Sequence, residues 1–392
     1  MFSPFRPWHI GKLFGIPIRI DPSWVLIFLL LTYQLATFVF PMELGMRFRR
    51  GIAYDVIALA VIASLLLFVS IIAHELAHAL MARVRGVSVL GITLFIFGGV
   101  AQIGDEPDSP ATEFWIAIVG PLISFVIAIL AAAVWIWTQA FESMGALGAL
   151  QRTPLQIGWR YISVVAFYLA QANLLLAVFN LLPGFPLDGG RVLRAIVWAI
   201  LKDQKRATYW GMVSGRAVAA LMGLGGFYFV LQGEFGGGWL LLMAWFLWRA
   251  AGEAYHALLA RDLLKHITVG EIMRAPLHRV SEALSLRELA ESFASWLRPP
   301  ALAIDLNGSA VGLIGIEQVK KIERAQWEST RVRQAMLPLA TERVVAPNDV
   351  ALRALKLLTE TEREEVAVVQ AGQVIGIVGR EELARYLQAK GE

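Results

Sequence analysis

Six apolar stretches of about 18 residues or more fill the first two thirds of this 392-residue chain. They lie at residues 23–40, 52–73 (continuing, less apolar, to 82), 114–137, 161–182, 212–231 and 239–259. A helix of that length covers the roughly 30 Å hydrocarbon core of a bilayer. Inside lipid every backbone N–H and C=O must find a partner within the protein, so only helices and closed barrels can cross. The stretches are continuous rather than alternating, which predicts a polytopic bundle of six transmembrane helices. Arg216, Arg249 and Glu253 interrupt the fifth and sixth stretches and blur their ends.

Charge separates a second region. Residues 261–392 carry 18 Lys+Arg and 18 Asp+Glu, so the net charge of +4 belongs to the part before them. No basic cluster with interleaved aromatics occurs, which argues against nucleic acid as a partner. The basic residues flank apolar runs instead, and their partner is the lipid bilayer. With six spans, the loops on the side of both termini hold about ten Lys/Arg against about five on the other side, which places both termini in the cytosol. Arg47, Arg49 and Arg50 fall on the outer side against this trend. The first residues have neither a continuous apolar core nor a small-residue cleavage site and do not read as a secretory signal.

The chain has no cysteine, so a metal site must use His, Asp or Glu. His74-Glu75-Leu76-Ala77-His78 sits inside the second apolar run. On a helix, positions i and i+4 share a face, so both imidazoles can reach one zinc ion, and Glu75 beside them can accept a proton from water. Ionisable groups at membrane depth cost roughly 2.5–3.5 kcal/mol each on insertion scales, which marks them as functional. A catalytic zinc takes three protein ligands. The remaining histidines, His9, His256, His266 and His278, lie far along the chain, which leaves a carboxylate. Asp188 is the best placed, in Asn180-Leu-Leu-Pro183-Gly-Phe-Pro186-Leu-Asp188-Gly-Gly190-Arg191, where two prolines break the fourth span. Taken alone, Asp188 serves equally as an N-cap for a helix starting near Arg191. Between spans two and three, residues 87–104 are apolar and β-branched but cut by Gly91, Gly98, Gly99 and Gly104, which reads as a strand or hairpin, either buried in protein near the membrane or, equally, lying on the cytosolic surface.

His74-Glu75-x-x-His78, the stretch from Asn180 to Gly189, and Gly98-Gly99-Val100 together resemble the site-2 protease family of intramembrane zinc metalloproteases, over residues from about 15 to 262. The resemblance implies one zinc per chain on His74, His78 and Asp188, with Glu75 as general base and acid. It implies that Asn180 holds the substrate peptide or its oxyanion, and that Gly98 and Gly99 belong to a membrane-associated β-hairpin beside the site. The implied substrate is a single-span membrane protein, such as a membrane-tethered transcription regulator or an anti-sigma factor, cleaved in its transmembrane segment at the plasma membrane. No inserted domain lies between the two polar motifs. Asn173 reads as helix packing glue, and Gly211-x-x-x-Gly215 as a mark of close helix packing.

After residue 262 a pattern recurs. Val269-Gly-Glu-Ile-Met273 matches Val332-Arg-Gln-Ala-Met336 at an offset of 63, and Gly312-Leu-Ile-Gly315 matches Gly376-Ile-Val-Gly379 at 64. Each copy reads strand, helix, strand, turn, strand, helix, with Asn307-Gly308 as the hairpin turn of the first. This predicts a soluble α/β pair, residues 263–326 and 327–392, after a membrane domain of residues 1–262. The repeat resembles the tandem cystathionine-β-synthase (CBS) domain pair over about 125 residues. That resemblance implies regulation by an adenine nucleotide and homodimer formation. Gly315 with Gln318 and Gly379 with Glu382 depart from the hydroxyl and aspartate that nucleotide-binding members carry, so a purely structural or dimerising role stands equally. The alternative from another class is a divalent-cation transporter or channel gated by the pair.

Overall fold

The structure, a computed structural model, describes residues 7–45, 54–104, 106–146, 154–234, 236–274, 278–295, 301–304, 310–338, 344–360, 365–371 and 373–390. Arg47, Arg49, Arg50 and the Asn307-Gly308 turn lie outside the described residues. Two compact units emerge, Met1–His256 and Ala257–Glu392.

The first unit opens with β1 (Trp8–Leu13) and β2 (Ile16–Ile20). Helix α1 (Ser23–Gln34) runs through a π-helical turn at Leu35–Val39 into α2 (Phe40–Glu43). Then come α3 (Tyr54–Val84), β3 (Val89–Phe95), β4 (Gly98–Ile103), α4 (Pro110–Ala146), α5 (Pro154–Asn180), α6 (Asp188–Leu201), α7 (Gln204–Leu231) and α8 (Gly236–Leu264). Prolines open α4 and α5, where the missing N–H is no loss. Asp203 caps α7 by accepting from the Arg206 N–H at 3.1 Å.

Five helical stretches are long and apolar enough to cross a membrane: Ser23–Glu43, Tyr54–Val84, Pro110–Phe141, Gly158–Asn180 and Gln204–Leu231. The sixth apolar run folds as the 29-residue α8 but is not among these five. Within it Arg249 lies 3.8 Å from Glu253 and over the Trp245 ring, and Trp248 receives Arg216 of α7. The spans pack through small residues. Ala60 and Ala63 of α3 meet Leu35, Ala36 and Phe40 on one side and Val164 and Val165 on the other. Asn173, fully buried, donates to Ser70 Oγ at 3.3 Å and so joins α5 to α3 as the sequence suggested.

The expected hairpin at residues 87–104 is present as β3 and β4. It belongs to a four-stranded sheet of order β1-β2-β3-β4, with β2 and β3 parallel and the outer pairs antiparallel. The β1–β2 hairpin was not anticipated. Its turn is Phe14-Gly15, both at positive φ (50° and 74°), the two-residue geometry that matches strand twist. Ile16 and Ile92 bury against Ala79, which seats the sheet on α3, and the Arg83 guanidinium donates to the carbonyls of Phe14 and Gly15.

The second unit holds α9 (Val269–Ile272), β5 (His278–Ser281), α10 (Leu286–Ser295), β6 (Ala301–Ile304), β7 (Ala310–Ile314) and α11 (Ile316–Lys320). A second series follows: α12 (Val332–Ala335), β8 (Leu337–Pro338), β9 (Val344–Val345), α13 (Ala351–Glu360), β10 (Glu365–Gln370), β11 (Gln373–Gly379) and α14 (Arg380–Lys390). The sheets have orders β5-β6-β7-β8 and β11-β10-β9. The leading segments are exchanged. Val269 and Ile272 complete a core with Val345, Leu358, Val366 and Val368, while Val332 joins Val280, Leu286, Leu289 and Ile314. Arg274 accordingly bridges to Ile377 of β11, and β8 pairs with β7.

Candidate metal centre

His74 and His78 lie one turn apart on α3, both buried, in a helix with no Gly or Pro to disturb their common face. Asp188 is the first residue of α6, delivered after α5 ends at Asn180 and the chain turns through Pro183 and Pro186. Three atoms converge. His74 Nε2 and His78 Nε2 are each 3.1 Å from Asp188 Oδ2 and 3.1 Å from each other. Tetrahedral zinc with bonds of about 2.0–2.1 Å separates its ligand atoms by roughly 3.3 Å. The triangle therefore fits such an ion, with a fourth position left for water or substrate.

The other ring nitrogens are engaged. His78 Nδ1–H donates to the Ile116 carbonyl at 2.6 Å, and His74 Nδ1 is 2.9 Å from Ser124 Oγ. Both partners are on α4. Fixing Nδ1 in this way leaves each Nε2 lone pair for a metal and sets the ring planes. Gly120, on the same face of α4, lies against both rings. A Cβ there would stand 2.2 Å from His78 Nε2 and 2.8 Å from His74 Nε2.

Glu75 points to the sheet. Its Oε2 accepts from the Ala101 N–H of β4 at 2.9 Å. Gly99 makes that approach feasible, because a Cβ there would meet Glu75 Cγ at 2.5 Å. Gly98, at φ 126°, starts β4 in a conformation that suits glycine.

The structure thus brings together His74, Glu75, His78, Asp188 and Gly99, while Gly98 begins β4 with nothing within 4 Å of where its Cβ would stand. Asn180 closes α5 with its side chain partly exposed and forms no hydrogen bond among the described residues. Asp188 is not an N-cap: α6 starts at Asp188 itself, with Leu187 in the cap position and no side-chain cap. The Gly211 and Gly215 pair also does more than bring helices together. It receives the loop before Asp188, since a Cβ at Gly211 would lie 2.5 Å from the Phe185 ring and one at Gly215 2.3 Å from the Phe185 carbonyl oxygen. Phe185 N–H donates to Gly211 O at 3.1 Å. Ile116, Gly120 and Ser124 were not anticipated. Their spacing of four along α4 is a one-face signal, but nothing in the sequence says which helix that face meets.

The family model described as Peptidase family M50 matches residues 62–223, which include every residue of the site. Over 384 residues the chain is 32% identical to Rip3 of Mycobacterium tuberculosis, a protein named as a zinc metalloprotease, covering 96% of this chain and 92% of that protein. Among solved structures it is similar to the site-2 protease from Methanocaldococcus jannaschii, at 27% identity and a TM-score of 0.42, covering 64% of this chain and 95% of that one. It is also similar to CBSX2 in complex with AMP, at 25% identity and a TM-score of 0.29, covering 32% of this chain and 98% of that one.

Proposed function

Because the chain belongs to peptidase family M50, the site-2 protease family of zinc metalloproteases, we propose that it cleaves the transmembrane segment of a single-span protein with one zinc held by His74, His78 and Asp188. The observation that carries this reading is the 3.1 Å triangle of Nε2, Nε2 and Oδ2 with Glu75 beside it.

Bound zinc would supply Lewis acidity, polarising the scissile carbonyl and easing deprotonation of water. Glu75 takes the proton of the attacking water and returns it to the leaving amine. Its hydrogen bond from Ala101 keeps the carboxylate on the sheet side of the two imidazoles. The Asn180 amide, free of other partners among the described residues, donates to the substrate carbonyl as negative charge develops. A helical peptide bond is masked by its own hydrogen bonds, so the substrate unwinds first. Strand β4, last in its sheet, offers an edge along which the extended peptide can lie.

Membership of a metalloprotease family sets aside the cation-transporter alternative. The substrate class that fits is a membrane-tethered transcription regulator or anti-sigma factor at the plasma membrane. Water enters from the cytosolic face, where Arg83 and Arg85 follow the site on α3, and both termini lie on that side. In the C-terminal pair, Gln318 and Glu382 fold back to accept from their own Gly315 and Gly379 N–H groups at 2.9 and 3.1 Å. That supports a structural, dimerising pair over one that reads an adenine nucleotide.

Glu75→Gln tests the mechanism. It should leave zinc bound at wild-type stoichiometry and slow cleavage of a single-span substrate by roughly 10²–10⁴-fold. Undiminished cleavage by this variant, or a wild-type protein purified without zinc, would sink the proposal.

A further inference from the structure

A buried ion cluster lies outside the site's own donor set. Glu113, in the first turn of α4, is 0% exposed. Its Oε1 pairs with the Arg194 guanidinium and lies 3.6 Å from Arg191 Nε, and the side chains of Arg194 and Arg191 are only 11% and 22% exposed. Both arginines belong to α6. Arg191 lies one turn after Asp188 and Arg194 one turn after Arg191, so each neighbours the next along that helix. Arg194 also stacks over the Phe185 ring at 5.5 Å, in the loop that delivers Asp188.

The other end of the cluster matters as much. Helix α4 carries the groups that orient the imidazoles, Ile116 O, Gly120 and Ser124, and Glu113 is one turn ahead of them on the same helix. One helix, interrupted by Pro121, thus meets both histidines through Ile116 O, Gly120 and Ser124 and meets α6 through Glu113 in its first turn. Glu113 Oε2 and Arg194 Nε are buried without a hydrogen-bond partner among the described residues, so the pairing through Oε1 carries the charge compensation, and sliding α6 past α4 would strand a buried charge.

We propose that Glu113, with Arg191 and Arg194, is a positioning cluster that holds Asp188 in register with His74 and His78 for metal binding. This rests on the zinc site proposed above. Glu113 touches neither metal ligand nor substrate. It acts through the placement of α6.

The test uses the full-length protein in detergent micelles, with zinc affinity read by competition against a chromogenic chelator. Glu113→Gln should keep the wild-type helical circular dichroism and weaken zinc binding by about 10–100-fold, the range expected for residues that orient metal ligands. At limiting zinc, kcat should fall while KM for a single-span substrate holds. Glu113→Asp should recover affinity to within a few fold. If folded Glu113→Gln loses only thermal stability and binds zinc as the wild type does, the cluster is merely structural and the inference fails. If Glu113→Gln does not fold, Arg194→Lys decides, since it keeps the charge and loses the fork: weakened zinc binding supports the inference and wild-type binding overturns it. A wild-type protein that takes up no zinc would instead refute the metal site itself.

Discussion

At the scale of single residues, the chemistry depends on which side chains are missing as much as on those present. The absence of cysteine confined any metal to His and carboxylates, and the i, i+4 pair in an apolar run pointed to His74 and His78. Those residues were readable because their polarity is out of place in a membrane helix. Gly120 was not, because a glycine in an apolar span has many ordinary causes. Only the packing of α4 on α3 reveals that hydrogen is the one side chain that fits against both imidazoles. Gly120→Ala should therefore weaken zinc binding at least 10-fold while leaving helix content unchanged, since alanine is the better helix former by about 1 kcal/mol. Metal analysis after equilibrium dialysis, alongside circular dichroism, would check this; full zinc occupancy in the variant would show that the rings can retreat. Asp188 sits between these cases. Its carboxylate was legible as a candidate, but its choice between capping a helix and facing the histidines was decided by where α6 begins.

At the scale of elements, continuous apolar runs translate directly into helices, and the glycine-cut run at 87–104 into a hairpin. The β1–β2 hairpin escaped notice because its strands are short and contain Pro17, and because the partner that stabilises it, β3, is some seventy residues away. Long-range pairing of this kind leaves little local trace. The repeat after residue 262 was legible as a period, yet not the exchange in which each copy's first helix completes the other copy's core. The spacing is the same either way. Gln318 and Glu382 each close a capping arrangement on the glycine three residues before it. One side-chain oxygen of each is thereby engaged by its own backbone. Calorimetry of the full-length protein with ATP, AMP and S-adenosylmethionine should show no binding heat. A dissociation constant tighter than about 1 mM, near −4 kcal/mol, for any of the three would reverse this reading.

For the whole molecule, a hydrophobic fraction of 57% turns out to average two unlike bodies. Large apolar side chains such as Leu26, Leu29, Ile129, Leu175 and Leu221 face outward from the helices of the first unit, where lipid is their natural solvent. The second has closed cores of its own. The cysteine-free chain makes orientation easy to test by single-cysteine substitution. Glu234→Cys, between α7 and α8, should react with an impermeant maleimide on intact cells. Lys390→Cys, at the end of α14, should react only after permeabilisation. Labelling of Lys390→Cys on intact cells would invert the topology. One feature of the fold bears on the state of the surrounding solvent. Strand β4 is the last of its sheet, and Ala101 has turned its N–H to a carboxylate rather than to another strand. A sheet border of this sort cannot rest against acyl chains, since every amide left on it would lack a partner. Where that edge lies at membrane depth, as the proposed function requires, water rather than lipid must face it. Amide hydrogens along β4 should then trade for deuterium far sooner than those of α3, as a route for the water of the proposed hydrolysis requires.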